Sequence, residues 1–234
     1  MSSFTESTSN QCKLYYFNIP ALGEPIRQLL VIGGYDWQDI KVSGKPNTFD
    51  AYWPDIKPTT RWGQMPMLEF PDGKKVCQTK AIVRYLAKTT FIGGKALYPS
   101  DPEEALWIDE LVDAMEDIRG ALVSSFSIQD QAEKEAARKA VFGPEGKGTK
   151  ILTVVESMVQ GPFIFNEQMT LADLWVFWFV GFTAGGFFDG LDASVVEPYK
   201  KLLQVSRNVG KTPALQKMYQ GRDGTYAYYA ELCK

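Results

Sequence analysis

Histidine is absent from the 234-residue chain. That absence excludes Ser-His and Cys-His nucleophile activation and every histidine-ligated metal centre. Chemistry has to rest on Tyr, Asp or Glu, Lys, Ser or Thr, or on a borrowed group. Cysteine is scarce: Cys12, Cys77 and Cys233 are far apart and form no C-x-x-C, which disfavours a disulfide framework and a thiol redox pair. A reducing, cytoplasmic compartment fits that usage. Charge of one sign never accumulates, since 25 Lys and Arg against 28 Asp and Glu leave a net charge of −3. No surface is therefore evidently built for nucleic acid or for an anionic membrane. A transmembrane run is also missing, because the most apolar stretch is about a dozen residues with Asp173 inside it, while a span needs roughly 20. The opening residues, 1–12, are polar without an apolar core and read as a flexible arm rather than a secretory signal.

What is present is an ordinary globular composition, 45% hydrophobic and 23% charged. The length allows one large domain or two small ones. Residues 13–18, KLYYFN, alternate with Leu14 and Tyr16 on one face and Tyr15 and Phe17 on the other, which predicts a strand with Tyr16 near its end. A loop over 19–22 precedes a helix opened by Glu24-Pro25 and stopped at Gly33-Gly34, its apolar face made by Ile26, Leu29, Leu30 and Ile32. A strand over 37–42, a turn-rich connection over 43–61, and strands over 67–70 and 74–77 joined at Pro71-Asp72-Gly73 follow. Thr79 is expected to cap a helix over 80–88, with Ile82, Tyr85 and Leu86 facing inward. This order predicts an α/β domain over 13–90.

Residues 91–100, with Gly93-Gly94 and Pro99, read as a linker. Beyond it the period changes. Asp101 as N-cap, Pro102 and Glu103-Glu104 open a helix whose apolar series is Leu106, Ile108, Leu111, Val112, Met115, Ile118 and Leu122. Helices ending near Ala140 and running over 150–160 flank a loop at 142–148. Thr170 and Asp173 form a capping-box variant ahead of an all-apolar helix, so 101–234 is predicted to be an all-helical domain. The stretch 129–147 reads as insertion-like, and the docking of 225–234 is open.

Four features of the first half bear on a site: Tyr16 at a strand end, Trp53 with Lys57, Gly63-Gln64-Met65-Pro66, and Gln78-Thr79 at a helix start. Each has an ordinary alternative taken singly. Tyr16 can be a half-buried strand tyrosine, Trp53 and Lys57 a surface pair, Pro66 a strand-entry proline, and Gln78-Thr79 a plain helix cap. In the second half Asp113, Glu116 and Asp117 can be a solvated helix face.

Taken together and in order, these segments resemble the cytosolic glutathione S-transferases. KLYYFNIPALGEPIRQLL is similar to that family's opening strand, catalytic loop and first helix, WPDIK to its Trp/Lys segment, and GQMPMLEFPDGKKVCQTKAIVRYLAK to its most recognisable block. MEDIR and TLADLWVFW resemble its interface helix and capped core helix. The resemblance is sigma-like in YFN and WPDIK and mu-like in Leu22. It implies an α/β thioredoxin-like N-terminal domain, an all-α C-terminal domain and a homodimer.

Carried residue by residue, the resemblance puts the catalytic tyrosine on Tyr16. Leu22 stands where many members have an arginine near the sulfur. Trp53, Lys57 and Gln64 match the glycine end of glutathione, Lys57 pairing with its carboxylate. Met65, ahead of a Pro66 that the family holds cis, would pair with the cysteinyl part like an added strand. Gln78 and Thr79 match the pair at the γ-glutamyl carboxylate, where a helix N-terminus favours an anion. Asp117 matches the acidic residue reaching the γ-glutamyl amine from the partner subunit. Phe17, Ile19, Leu22, Gly120 and Ser124 are implied for the hydrophobic electrophile. Glutathione is then the co-substrate and no metal is required, although the three carboxylates could hold a cation as in some sigma members. The implied activity is thiol transfer to electrophiles, the alternatives being a prostaglandin D-type isomerase or a crystallin-like or ligand-storage protein.

Overall fold

Alternation in CKLYY builds the first strand, β1 (Cys12–Tyr16), with Cys12, Leu14 and Tyr16 buried and Lys13 and Tyr15 half-buried between them. The computed structural model of the chain describes residues 11–46, 49–165 and 167–234. The expected arm therefore lies outside the described residues apart from Gln11 and Cys12, and Cys12 already belongs to β1. Helix α1 (Glu24–Ile32) has Pro25 in its first turn, where the missing N–H costs nothing, and it ends at Gly33 with Gly34 at φ +65°. Its buried residues run from Glu24 to Leu30, whereas Ile32 is only half-buried. Strand β2 (Trp37–Ser43) then lies parallel to β1 with Tyr16 opposite Lys41.

The turn-rich connection contains short order not apparent in its prolines: β3 (Ala51–Tyr52), α2 (Trp53–Ile56) and a 3-10 turn over Lys57–Thr59. Strands β4 (Met67–Glu69) and β5 (Lys75–Cys77) form the hairpin, turning at Gly73 with φ +80°. The sheet order is β3-β2-β1-β4-β5, with β4 antiparallel to β1 and β5 antiparallel to β4. Helix α3 (Thr79–Thr89) follows. Ile82, Val83 and Leu86 are buried, but Tyr85, expected to face inward, is 52% exposed and meets Phe70 edge-on at 5.4 Å. The inward position belongs to Val83.

Two compact units, Met1–Leu86 and Ala87–Lys234, make up the chain, so the division falls inside α3 and not in the expected linker. Residues 91–100 instead carry the hairpin β6 (Phe91–Ile92) and β7 (Lys95–Ala96), and Leu97 and Tyr98 after it are buried in the second unit. The second unit is otherwise helical. Asp101 caps α4 (Pro102–Ser124) by accepting from the N–H groups of Glu103 at 3.0 Å and Glu104 at 2.9 Å. Leu106, expected in the apolar series, is 60% exposed. It lies two positions from buried Ile108, roughly 200° around the helix.

Residues 129–147 form α5 (Gln131–Val141) and the turn into α6 (Lys147–Met158), which starts earlier than the sequence suggests because Gly146 sits at its N-cap. Helix α7 (Leu171–Ala184) is buried throughout and opens with the Thr170–Asp173 capping box. Asp173 also accepts from the Ile164 N–H at 2.6 Å, and burial pushes its carboxyl up to about 6 against those hydrogen bonds. Helices α8 (Lys200–Gly210), α9 (Pro213–Tyr219) and α10 (Ala227–Leu232) complete the chain. The C-terminal segment docks through Tyr229, which is buried and donates its hydroxyl to the Trp178 carbonyl at 2.8 Å. Among the described residues no helix is long and apolar enough to cross a membrane.

Candidate active site

Two tyrosines end β1, and the pleat sends them to opposite faces. Tyr15 donates its hydroxyl to Glu69 at 3.3 Å, and burial together with that carboxylate pushes its phenol up to about 12. Tyr15 is committed to the sheet. Tyr16 is 6% exposed, with the Phe17 ring at 5.7 Å, the Arg27 guanidinium 5.9 Å from its ring centre, and the backbone of Gly23 pressed against it. A Cβ on Gly23 would sit 2.4 Å from Tyr16 Cδ1, so only glycine lets the loop pass this close to the ring.

That loop is held at both ends. At its start the Ile19 N–H donates to the Phe17 carbonyl at 2.9 Å, and Arg27 donates to the carbonyls of Phe17 at 3.0 Å and Ile19 at 3.1 Å. At its end Thr79 donates its hydroxyl to the Leu22 carbonyl at 3.2 Å. Thr79 is thus the first residue of α3 with its hydroxyl turned to the loop, and the preceding residue, Gln78, accepts from the Ile82 N–H at 3.0 Å through its carbonyl. Gln78 adopts φ +80°, an uncommon conformation for a residue other than glycine and one to note at a ligand clamp.

From Gln78 the contacts continue to the neighbouring segment. Its side-chain amide donates to Gln64 Oε1 at 2.9 Å, and Gln64 immediately precedes the cis Met65–Pro66 bond that leads into β4. Lys57 is exposed at the start of the 3-10 turn, and its side chain lies close enough to Gly63 that a Cβ there would be 3.4 Å from Lys57 Cε. Trp53 opens α2 and is half-buried. The first unit therefore joins Thr79 to Leu22 and Gln78 to Gln64 by hydrogen bonds, brings Gly23, the residue after Leu22, against Tyr16, places Met65 and Pro66 next to Gln64 in the chain, and keeps Lys57 against the Gly63 turn. Its chemical capacity is plain: a phenol at a strand end, an α3 N-terminus that favours an anion, and a cation at the rim.

A buried ion network centred on α1 holds this arrangement. Arg27 and Glu24 are 3% and 0% exposed and pair at 2.9 Å, and Arg27 Nε donates to Asp39 at 2.9 Å. Asp39 in turn pairs with Lys41, whose ammonium is pulled below its usual range chiefly by burial and then by Arg27. Gly23 and Arg27 were not legible as site residues. The only sequence signal was Glu-x-x-Arg at i, i+3 in an otherwise apolar helix, which brings the two charges onto one face.

Asp117 is exposed and accepts from Lys147 at 3.0 Å, while Glu116 pairs with Arg119. Asp113 is exposed. Among the described residues no cluster of three or more carboxylates or thiols forms a cation site. At Asp113, Glu116 and Asp117 two of the carboxylates are turned to basic partners. Gly120 is exposed with open space around it, and Ser124 donates its hydroxyl to the Ala121 carbonyl at 2.7 Å.

The family model for the glutathione S-transferase N-terminal domain matches residues 12–88, and that for the C-terminal domain matches residues 116–222. A probable glutathione S-transferase 7 of Caenorhabditis elegans is 33% identical over 70% of this chain and 76% of its own length. The chain belongs to the glutathione S-transferase family. A glutathione S-transferase of Anopheles gambiae is 44% identical over 46% of the chain and 47% of its own length. The chain spans about half the length of the first curated relatives it matches. Among solved structures, the prostaglandin synthase D of Nilaparvata lugens aligns with TM-score 0.74 at 26% identity, covering 91% of this chain and 98% of that one. These likenesses bear out the thioredoxin-like α/β domain followed by a helical domain.

Proposed function

We propose that this family member is a glutathione transferase in which Tyr16 donates a hydrogen bond to the glutathione thiolate, which then attacks a hydrophobic electrophile. The observation that carries the reading is the run of contacts from Tyr16 through Gly23 and Leu22 to Thr79, Gln78 and Gln64. A free thiol of pKa near 8.5 is only about 3% ionised at pH 7, and making the thiolate the majority form requires lowering that pKa by more than ~1.5 units, about 2 kcal/mol. One hydrogen bond to a charged group supplies roughly 1.5–3 kcal/mol. The thiol proton leaves to solvent, the phenol keeps its own and donates, and the sulfur lone pair forms the new C–S bond while, on an activated halonitroarene, the carbon–halogen bond breaks and halide leaves with its electron pair.

Within this reading Trp53, Lys57 and Gln64 take the glycine end, Met65 beside Pro66 takes the cysteinyl backbone, and Gln78 and Thr79 take the γ-glutamyl carboxylate. Asp117 serves the partner subunit of a homodimer. It would have to exchange Lys147 for the γ-glutamyl amine. Exposed Leu106 and Trp107 on α4 support a paired state. Phe17, Ile19 and Leu22 are proposed contacts of the electrophile in the first unit, and Gly120 and Ser124 are proposed separately in the second. The class is sigma-like with a mu-like Leu22, and free, buried Cys12, Cys77 and Cys233 support a cytoplasmic location.

Tyr16→Phe tests the reading. It is expected to lower kcat for conjugation of an activated halonitroarene by roughly 10–150-fold, as loss of about 1.5–3 kcal/mol requires, with a small change in glutathione affinity. Unchanged turnover rejects the role. The likeness to a prostaglandin synthase favours isomerisation of an endoperoxide as the second reading, and product analysis with such a substrate separates the two.

A further inference from the structure

The most deeply buried ion network of the first unit lies directly behind the proposed catalytic loop, and its central group is Arg27. A buried ion pair is weak evidence of stability, because desolvation offsets the attraction. This guanidinium, however, does more than pair with Glu24 and Asp39. It turns one nitrogen to the Ile19 carbonyl and another to the Phe17 carbonyl, the two residues that flank the turn at Asn18. It also stands 5.9 Å from the Tyr16 ring centre. Glu24, Asp39 and Lys41 complete two opposite-charge pairs, so the cluster adds little net field at the ring. What it can impose is position.

We propose that Arg27 is a positioning residue for the reaction: its planar fork fixes the carbonyls of Phe17 and Ile19, and so holds the Tyr16 phenol in register with the glutathione sulfur. The inference rests on the role given to Tyr16 above. Lysine cannot replace the fork, because an ammonium is a point charge that cannot address two carbonyls and two carboxylates in fixed directions. Arg27→Lys keeps the charge between Glu24 and Asp39 and removes the geometry. Asp39→Asn leaves Arg27 in place and weakens its orienting pair at Nε, which gives a milder perturbation should Arg27→Lys fail to fold.

The experiment is the pH profile of kcat/KM for the halonitroarene at saturating glutathione, measured for wild type, Tyr16→Phe, Arg27→Lys and Asp39→Asn, with thermal melting as the folding control. Its acid limb reports ionisation of the bound thiol. Arg27→Lys is expected to move that limb up by about one unit and to lower kcat about tenfold, with the KM for glutathione changed less than about twofold. Asp39→Asn is expected to move the limb the same way by less. A purely structural role lowers the melting temperature and leaves the limb where it is. That outcome in a folded Arg27→Lys, or in Asp39→Asn if Arg27→Lys does not fold, overturns the proposal. A limb unmoved in Tyr16→Phe overturns the role of Tyr16 instead.

Discussion

Gly23→Ala is the sharpest perturbation of the site, because backbone and packing effects can be separated. Gly23 has φ −78° and ψ −21°, a conformation open to any L residue, so alanine meets no backbone strain there. Taken alone the change would stabilise the fold by about 0.4–1 kcal/mol through the unfolded state. Packing opposes it. The new Cβ would stand 2.4 Å from Tyr16 Cδ1, 2.7 Å from Cγ and 3.0 Å from Cβ, where a carbon–carbon contact needs about 3.5 Å. The atoms met are at the root of the ring, so no flexible tip can swing away, and the phenol or the loop has to shift by about 1 Å. Overpacking of this kind costs about 1–3 kcal/mol, leaving a net loss of up to roughly 2.5 kcal/mol and a fall in Tm of up to roughly 10 °C. A displacement of about 1 Å at a reacting group can cost about 10²-fold in rate. Steady-state kinetics at saturating glutathione should therefore show kcat reduced 10–100-fold with the ligand still bound, as followed by calorimetry. In the Tyr16→Phe background the same substitution should add little, since both act through one hydroxyl. Wild-type turnover in folded Gly23→Ala would show that ring position does not govern the chemistry.

Lys57→Ala is expected to weaken glutathione about twofold to fivefold with kcat retained, and the effect should shrink at high salt because Lys57 is exposed. Titration at low and high ionic strength checks it. Asp173→Ala removes the acceptor of the Ile164 and Thr170 N–H groups and of the Thr170 hydroxyl, and should cost about 3 kcal/mol in urea unfolding. Since burial raises the Asp173 carboxyl to about 6 in the folded chain, the folded state holds its proton longer than the unfolded one. Its contribution is greatest below about pH 4 and is lost as pH rises through about 6, so the stability gap between wild type and Asp173→Ala should narrow over that window.

Period and capping made most of the elements legible, because strand alternation, Pro at a helix start and the Thr170–Asp173 box act over a few residues. Failures occurred where a distant neighbour decides. Tyr85 is apolar enough for the core but finds Phe70 at the surface, and Leu106 joins an apolar series without sharing its face. The 91–100 stretch reads as a connector from its glycines, yet Leu97 donates its N–H to Thr90 and is buried. At the proposed site, Tyr16, Lys57, Gln64, Gln78 and Thr79 sit in segments whose resemblance to the family is readable from sequence. Their supports were not. Gly23 matters for an atom it lacks, and Arg27 for the carbonyls it finds ten and eight residues back.

The missing charge at Leu22 and these supports belong to one physical problem. A thiolate can be favoured by a nearby cation, whose attraction varies slowly with distance, or by a hydrogen-bond donor, whose effect is steep in distance and angle. With leucine at position 22 and no histidine in the chain, the first option has no evident group in the proposed catalytic loop. Arg27 does not supply it, because Glu24 and Asp39 engage its guanidinium. The donor option leaves small tolerance for error, since a hydrogen bond weakens steeply below about 120°. A site that relies on one neutral phenol thus needs its ring clamped more tightly than a site with a cation. For the role proposed for Tyr16, the groups that would serve as the clamp are a glycine backbone on one side of the ring, a forked guanidinium bonded to the loop after it, and a threonine hydroxyl bonded to the loop before α1.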